Sequence, residues 1–195
     1  MIEEVRKIVE KECTSKKDLY DIKNFNWDFH ILIVVKYAKL LSKKLNSDEE
    51  LAELGALLHD IGRVKFGGKY HEKTGISEAE KILKDVGYSQ DVINEIKHCV
   101  ESHRGNENTP TKTTTAKIVA NADALAHFDV IPLMLEIGIR KYNGDIRKGA
   151  DWLYDKMKRN WDKKITLPEA RELVKDKYEA FMILFDSYRE IKPSH

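Results

Sequence analysis

Cysteine is scarce in this chain, and long apolar runs are missing. The 195 residues include only two cysteines, Cys13 and Cys99. Two such widely separated thiols form neither a disulfide framework nor a zinc motif, so we expect both to be small core residues in a reducing compartment. No apolar run approaches the roughly 20 residues that span a bilayer, and residues 1–10 lack the apolar stretch of a signal peptide. The sequence therefore predicts a cytoplasmic protein with no membrane partner.

The chain also lacks an excess of either charge. Lysine and arginine number 34 against 33 aspartates and glutamates, for a formal net charge of +1. This balance does not favour a nucleic-acid polymer as partner, so specific ligands must be sought in local patterns. The length fits one domain of ordinary size, and no repeat or linker divides residues 1–195.

Apolar residues recur at helical spacing almost everywhere, and no run alternates as a strand would. We therefore predict an all-α protein. Ser47 and Glu50 have the spacing of a capping box, Gly62 is expected to end the third helix, and Thr166 is expected to cap the last. The predicted helices cover residues 2–12, 26–45, 47–59, 76–86, 89–104, 115–128, 132–143, 145–164 and 166–191. Loops are expected at residues 63–70, around Gly67 and Gly68, and at residues 106–114.

Three polar residues fall on the inward faces of predicted helices. His30 shares a face with Val34 and Leu41, and His59 lies on the row of Ala52 and Gly55. Asp123 lies on the row of Ala116, Val119 and Ala120, where an unpaired carboxylate would cost several kcal/mol. Asp60 directly follows His59 at a predicted helix end. Neutral imidazoles and carboxylates suit a first-row divalent ion, Mn²⁺, Fe²⁺, Co²⁺, Ni²⁺ or Zn²⁺.

Four further histidines are less clearly placed. His103 lies seven residues after Ile96 on the apolar face of its helix, whereas His98 faces away, so we favour His103 for the site and expect His98 in solvent. His71 follows the glycine loop, where it could reach a metal or a phosphate or be a solvated loop residue. His127 lies one turn after Asp123 and could orient it or pack between helices. A chain-terminal histidine, His195, carries no prediction for the site.

The order His30, His59-Asp60 and Asp123 on successive helices resembles the HD superfamily of metal-dependent phosphohydrolases. The resemblance runs from about residue 28 to 129 and includes the HDIGR form at residues 59–63, Ser-His-Arg at 102–104 and Asn-Ala-Asp-Ala-Leu at 121–125. It implies an HD-domain helical bundle with its core at about residues 26–130 and extra C-terminal helices at about 131–192. Within this superfamily the chain resembles the small stand-alone members of HDIG type in particular.

The resemblance implies a metal ion bound by His30, His59, Asp60 and Asp123, with Mg²⁺ as a further choice of ion. In two-metal relatives additional histidines bind a second ion, and His71 and His103 are the matching positions here. Such a centre hydrolyses a phosphoester or phosphoanhydride with metal-activated water. Asp60 would bridge metals or position the attacking water. Arg63 and Arg104 would bind phosphate oxygens.

The implied substrate is a soluble phosphorylated metabolite, with nucleotides as the leading class. Lys65, Lys69 and Lys73 could add positive charge at the mouth or be ordinary solvated lysines. The aromatic residues that could stack on a base, or equally belong to the core, are Tyr70, Trp152 and Trp161.

Departures from the family pattern limit the choice of substrate. Nucleotidase relatives specific for deoxynucleoside monophosphates carry an acidic residue where this chain has Arg63, and many small relatives carry one where it has Ala126. The glycine-tyrosine-proline signature of cyclic-di-GMP phosphodiesterases is absent after His103.

Two other function classes stay open. One is a metal- or nucleotide-binding sensor without turnover, and the other is a diiron oxygenase of HD type that would need both His71 and His103 as ligands. The later helices could pair two copies as a homodimer or cover the core of one chain.

Overall fold

A computed structural model describes residues 1–15, 24–104 and 109–191 of the protein, and these ranges are helical with no strands. The all-α prediction is confirmed. The helices are α1 (Ile2–Thr14), α2 (Leu32–Lys44), α3 (Glu49–Leu58), α4 (Ile61–Phe66), α5 (His71–Val86), α6 (Gln90–Ser102), α7 (Thr114–Ala126), α8 (Ile131–Lys141), α9 (Ile146–Arg159) and α10 (Pro168–Glu190). Wider π-helical turns precede α2 (Trp27–Ile31) and follow α9 (Asn160–Lys164), and a 3₁₀ turn (His127–Asp129) follows α7.

Helix α7 lies at the centre of the bundle. Every residue from Thr115 to Ala126 except Lys117 is buried or nearly so, and the helix packs against α2, α3 and α6. Small residues such as Ala116, Ala120 and Ala124 allow these backbones to approach closely. Helices α8 and α9 pack on each other, and α10 closes the bundle over α2, α7 and α9.

The junction between α3 and α4 differs from the prediction in two ways. Asp48, not Ser47, is the N-cap of α3, and its side chain accepts a hydrogen bond of 3.0 Å from the backbone N–H of Leu51. Gly62 does not end α3, which already ends at Leu58; it lies inside α4. The sequence signal was misleading because this glycine serves close packing rather than a helix end.

Gly62 lets α4 touch the start of α5. A Cβ atom at Gly62 would lie 2.2 Å from the backbone oxygen of His71 and 2.5 Å from the backbone nitrogen of Gly75. Both atoms belong to the main chain, so no side-chain rotation relieves the clash. The backbone contact therefore fixes where His71 begins α5.

The glycine loop is shorter than predicted. Residues 63–66 belong to α4, and α5 begins at His71 rather than at residue 76. Tyr70 precedes it with a left-handed backbone (φ +57°), which is uncommon for a residue other than glycine. The loop predicted at residues 106–114 lies partly outside the described residues, and residues 109–113 form no helix.

Thr166 does not cap α10, contrary to the prediction. Its hydroxyl accepts a hydrogen bond from the side-chain amide of Asn121, and the Asn121 carbonyl oxygen accepts from the backbone N–H groups of Thr166 and Leu167. The buried amide thus joins α7 to the segment before α10, and Thr166 is used in that link. Ser89, where the fifth helix is predicted to begin, is the N-cap of α6. Asp145 is the N-cap of α9, and its side chain accepts a hydrogen bond from the backbone N–H of Lys148.

Cys13 and Cys99 are both buried, as predicted. Among the described residues no single helix is long and apolar enough to cross a membrane; one pair of consecutive segments, Thr114–Asp129 and Ile131–Lys141, passes by length and composition but is bent by 86°.

The contact at Gly62 can be tested by Gly62→Ala. We expect this variant to lower the free energy of unfolding by about 3 kcal/mol, because the new methyl group would push two main-chain segments apart. Urea unfolding followed by circular dichroism measures the change. Gly68→Ala is the matched control, because a Cβ there meets nothing within 4 Å. Equal stability of the two variants would contradict the packing role of Gly62.

Candidate metal centre

The ends of several helices meet around a cavity of about 680 Å³. His59 is fully buried beneath it, between α3 and α4. The imidazoles and carboxylates that line it are His30, Asp60, His71, His103, Asp123 and His127. The structure therefore brings together every metal-ligating candidate that the sequence suggested, including both residues proposed for a second ion.

Asp60 lies at the centre of this group. Its Oδ2 atom is 3.4 Å from Nε2 of His30 and 3.9 Å from Nε2 of His59. Its Oδ1 atom is 3.2 Å from Nε2 of His71 and 3.5 Å from Nε2 of His103. One buried carboxylate thus faces two separate histidine pairs, each with a different oxygen.

Asp123 extends the first half of the group. Its Oδ1 atom is 3.6 Å from Nε2 of His30, and its Oδ2 atom is 3.7 Å from Nζ of Lys164. His127 lies nearby, and together with His30 and Asp123 it forms a second set of side chains that could hold a metal ion. On its other side Nδ1 of His127 lies 3.3 Å from the side-chain nitrogen of Asn160.

The backbone orients three of the imidazoles in the same way. Nδ1 of His59, His71 and His103 each lies within hydrogen-bond distance of the carbonyl oxygen three residues earlier, at 2.7, 2.9 and 2.7 Å. A carbonyl oxygen only accepts, so each Nδ1 carries the proton and donates. Each Nε2 then keeps its lone pair, directed at the centre of the cavity. This orientation is typical of histidines that bind metal ions.

The Nε2 atoms approach one another closely. They are 3.1 Å apart in His30 and His59 and 3.3 Å apart in His71 and His103. Two imidazole lone pairs at such distances repel each other unless a proton or a cation lies near them. The residues therefore fit divalent metal ions, and the nitrogen and oxygen donors are those that first-row ions prefer.

Burial and charge keep three of these donors, His59, Asp60 and Asp123, in the states that bind metal. Burial lowers the pKa of His59 to about 4, so its ring is neutral at pH 7. Burial alone would raise the pKa of Asp60, but the surrounding imidazoles of His103, His30 and His71 outweigh it and hold that pKa well below its usual range. For Asp123 the positive charge of Lys164 and the neighbouring imidazoles likewise outweigh burial and lower the pKa.

Local backbone irregularities place two of the histidines. His30 lies in the π-helical turn Trp27–Ile31 rather than in a regular helix, and His71 directly follows the left-handed Tyr70. Single π-helical turns are frequent at functional sites. The helical periodicity predicted the inward direction of His30 but carried no signal for the widened turn.

The two arginines predicted to bind phosphate, Arg63 and Arg104, both line the cavity, and Arg104 also pairs with Glu72 at 3.2 Å. Lys65, Lys69 and Lys73 do not line it. Lys65 pairs with Glu78, and the other two lie near the ring of Tyr70. These lysines contribute nothing to the wall of the cavity.

The aromatic candidates and His98 likewise divide into residues that line the cavity and residues that do not. Trp152 lines the cavity, whereas Tyr70 does not and Trp161 stacks on Tyr178. His98 does not belong to the site, but it is half-buried rather than solvated, because its Nε2 atom accepts a hydrogen bond from the backbone N–H of Lys112.

Sequence reasoning missed one side of the cavity apart from Trp152. Segments after α7 supply four cationic side chains and an apolar wall, whose residues are Lys156, Arg159, Lys163, Lys164, Val130, Met134, Ile137 and Trp152. Phe25 and Phe29 add to the apolar part from the other side. The spacing of lysines in a lysine-rich chain gave no signal that these residues face the metal centre.

Solved structures share this fold over nearly the whole chain. A predicted HD superfamily hydrolase from an uncultured Thermotogales bacterium is 20% identical, with a TM-score of 0.65, and the match covers 96% of this chain and 91% of that one. An HD-superfamily hydrolase from Bacillus thuringiensis is 18% identical, with a TM-score of 0.67 and coverage of 98% and 97%. At these identities the likeness establishes the fold alone.

Two curated relatives match shorter segments. A tRNA (cytidine(56)-2'-O)-methyltransferase of Thermoplasma volcanium is 33% identical over 110 residues, which are 49% of this chain and 30% of that protein. A deoxyguanosinetriphosphate triphosphohydrolase-like protein of Sinorhizobium medicae is 40% identical over 58 residues, 30% of this chain and 13% of that protein. The matches thus span less than a third of either relative.

The HD domain family matches residues 27–127. That segment begins at the turn that carries His30 and ends at His127, so it contains every imidazole and carboxylate that lines the cavity. The chain therefore belongs to the HD domain family.

Proposed function

We propose that this protein is a metal-dependent phosphohydrolase that cleaves a phosphoester or phosphoanhydride of a small phosphorylated metabolite. The observation that carries the proposal is the position of Asp60, whose two oxygens face two separate histidine pairs. Buried carboxylates and imidazoles in such an arrangement need cations to balance them. Family membership and the description of the Thermotogales and Bacillus proteins as hydrolases agree with it.

The donor set divides into two groups that share Asp60. One group consists of His30, His59 and Asp60, and we add Asp123 to it because its Oδ1 atom lies 3.6 Å from Nε2 of His30. The other group consists of Asp60, His71 and His103. We propose that each group holds one divalent ion, of Mn²⁺, Fe²⁺, Co²⁺, Ni²⁺ or Zn²⁺, with Mg²⁺ as a further choice. When bound, such ions lower the pKa of coordinated water and polarise a phosphoryl oxygen.

The side chains then have distinct roles in hydrolysis. Asp60 positions the attacking water, because its carboxylate is ionised and lies between both histidine pairs. Arg63 and Arg104 bind oxygens of the phosphate that is attacked, since a guanidinium group offers two parallel donors to such oxygens. The buried imidazoles of His59 and His103 keep fixed directions through their backbone hydrogen bonds, so little reorganisation accompanies the reaction.

A nucleotide is the substrate class that the cavity lining favours. Cationic side chains suit phosphates, while Phe29, Met134 and Trp152 offer apolar surface to a base or a sugar. The volume of about 680 Å³ is within the usual range for small-molecule sites. The Sinorhizobium relative is described as triphosphohydrolase-like for a deoxynucleotide. We do not propose a nucleic-acid polymer as substrate, because the formal net charge is only +1.

A diiron oxygenase of HD type is the second candidate. It is favoured by one observation, that His71 and His103 both face the same Asp60 oxygen, which completes a donor set for a second ion. A sensor module without turnover would need no such second set.

The hydrolase proposal is tested by stripping the protein of metal and reloading it separately with Mn²⁺, Co²⁺, Ni²⁺, Fe²⁺ and Mg²⁺. We expect release of phosphate or pyrophosphate from members of a nucleotide panel, and only with metal present. Asp60→Asn should reduce the rate by about 10²-fold or more, because it removes the charge that orients water. Asp85→Asn, at an exposed position on α5, is the matched control and should keep the rate.

Absence of turnover with every metal would contradict the hydrolase. Tightly bound iron in the purified protein, with oxygen consumption on adding phosphonates or polyols, would then identify the oxygenase. Metal binding without either reaction would identify the sensor.

A further inference from the structure

One wall of the cavity is built by residues that the HD family match does not include. Lys156 and Arg159 belong to α9, and Lys163 and Lys164 belong to the π-helical turn that follows it. All four lie beyond residue 127, where the family match ends. They line the same cavity as the carboxylates and arginines of the candidate metal centre.

Most of this positive charge has no counter-charge in the described part of the chain. Within residues 1–15, 24–104 and 109–191, Lys156, Arg159 and Lys163 form no ion pair, and Lys164 has only Asp123, at 3.7 Å. Lys158 is different: it points away from the cavity and pairs with Asp162 of the following turn at 3.4 Å. Lys156, Arg159 and Lys163 therefore bring positive charge to the cavity without an ion-pair partner among the described residues.

Lys156 is held where a charge is unfavourable. It is half-buried. Burial lowers its pKa to about 8, and repulsion from Lys164, Arg159 and Arg63 acts in the same direction, while Asp123 opposes both. A cluster of like charges near low-dielectric surface raises the local potential and attracts a ligand of opposite sign. An anion bound there would remove the repulsion.

We propose that Lys156, Arg159 and Lys163 form a second anion subsite, which binds an anionic group of the substrate other than the phosphate at the metal centre. The inference rests on the proposed function, in which Arg63, Arg104 and the metal ions bind the phosphate that is attacked. It makes the preferred substrate a molecule with at least two anionic groups, such as a chain of phosphates. The cationic wall then distinguishes such a molecule from a simple monoester.

The subsite is tested by calorimetric titration of inorganic tripolyphosphate into the full-length, metal-free protein. Without metal ions the ionised Asp60 and Asp123 repel phosphates. Arg63 and Arg104 are the same in every variant, so a difference in binding between variants reports on Lys156, Arg159 and Lys163. We expect Lys156→Gln to weaken binding about tenfold, because a hydrogen bond to a charged group is lost. Lys158→Gln removes the same charge from the same helix outside the cavity and should bind as the wild type does.

Equal binding by wild type and Lys156→Gln would overturn the subsite, and so would an equal loss in Lys158→Gln. Circular dichroism checks that the variants are folded. If Lys156→Gln is unfolded, Lys163→Gln, at an exposed position, replaces it with the same expected loss. The titration needs no turnover, so a subsite without hydrolysis and hydrolysis without the subsite are distinguishable results.

Discussion

The sharing of one buried carboxylate between two histidine pairs is the interaction on which the rest of the site depends. Asp60 lies where α3 ends and α4 begins, so its position is fixed by two helices at once. His59 precedes it at the same junction, and the other histidines reach it from the ends of other helices. Three of the imidazoles are aligned by main-chain carbonyl oxygens. Because a buried carboxylate must be balanced, this arrangement links the packing of the bundle to the binding of cations.

Much of the centre could be predicted from the sequence because its residues obey helical periodicity. His30 and Asp123 share faces with apolar residues, and the same criterion favoured His103, which lines the cavity, over His98, which does not. The packing contact of Gly62 could not be predicted, because a glycine after a helix usually marks its end. Tyr70 gave no signal either, since its left-handed backbone depends on the contact between α4 and α5 rather than on its own preferences.

The cationic side chains of the cavity, Lys156, Arg159, Lys163 and Lys164, could not be predicted from the sequence for a different reason. Whether Lys156 or Lys158 faces the cavity depends on how α9 packs against α8 and on how the following turn widens, and both depend on residues far away in the sequence. The family match supplies the metal donors, and the later segments supply Lys156, Arg159 and Trp152. A shared metal centre can therefore serve different substrates, according to the segments that follow it.

In the proposed centre Asp60 joins two metal ions. The direct measurement is anomalous X-ray diffraction from crystals of the wild-type protein grown with Mn²⁺. We expect two anomalous peaks, one between Asp60 and the pair His30 and His59, the other between Asp60 and the pair His71 and His103. Peaks that avoid Asp60, or no peak in the cavity at saturating Mn²⁺, would contradict this arrangement.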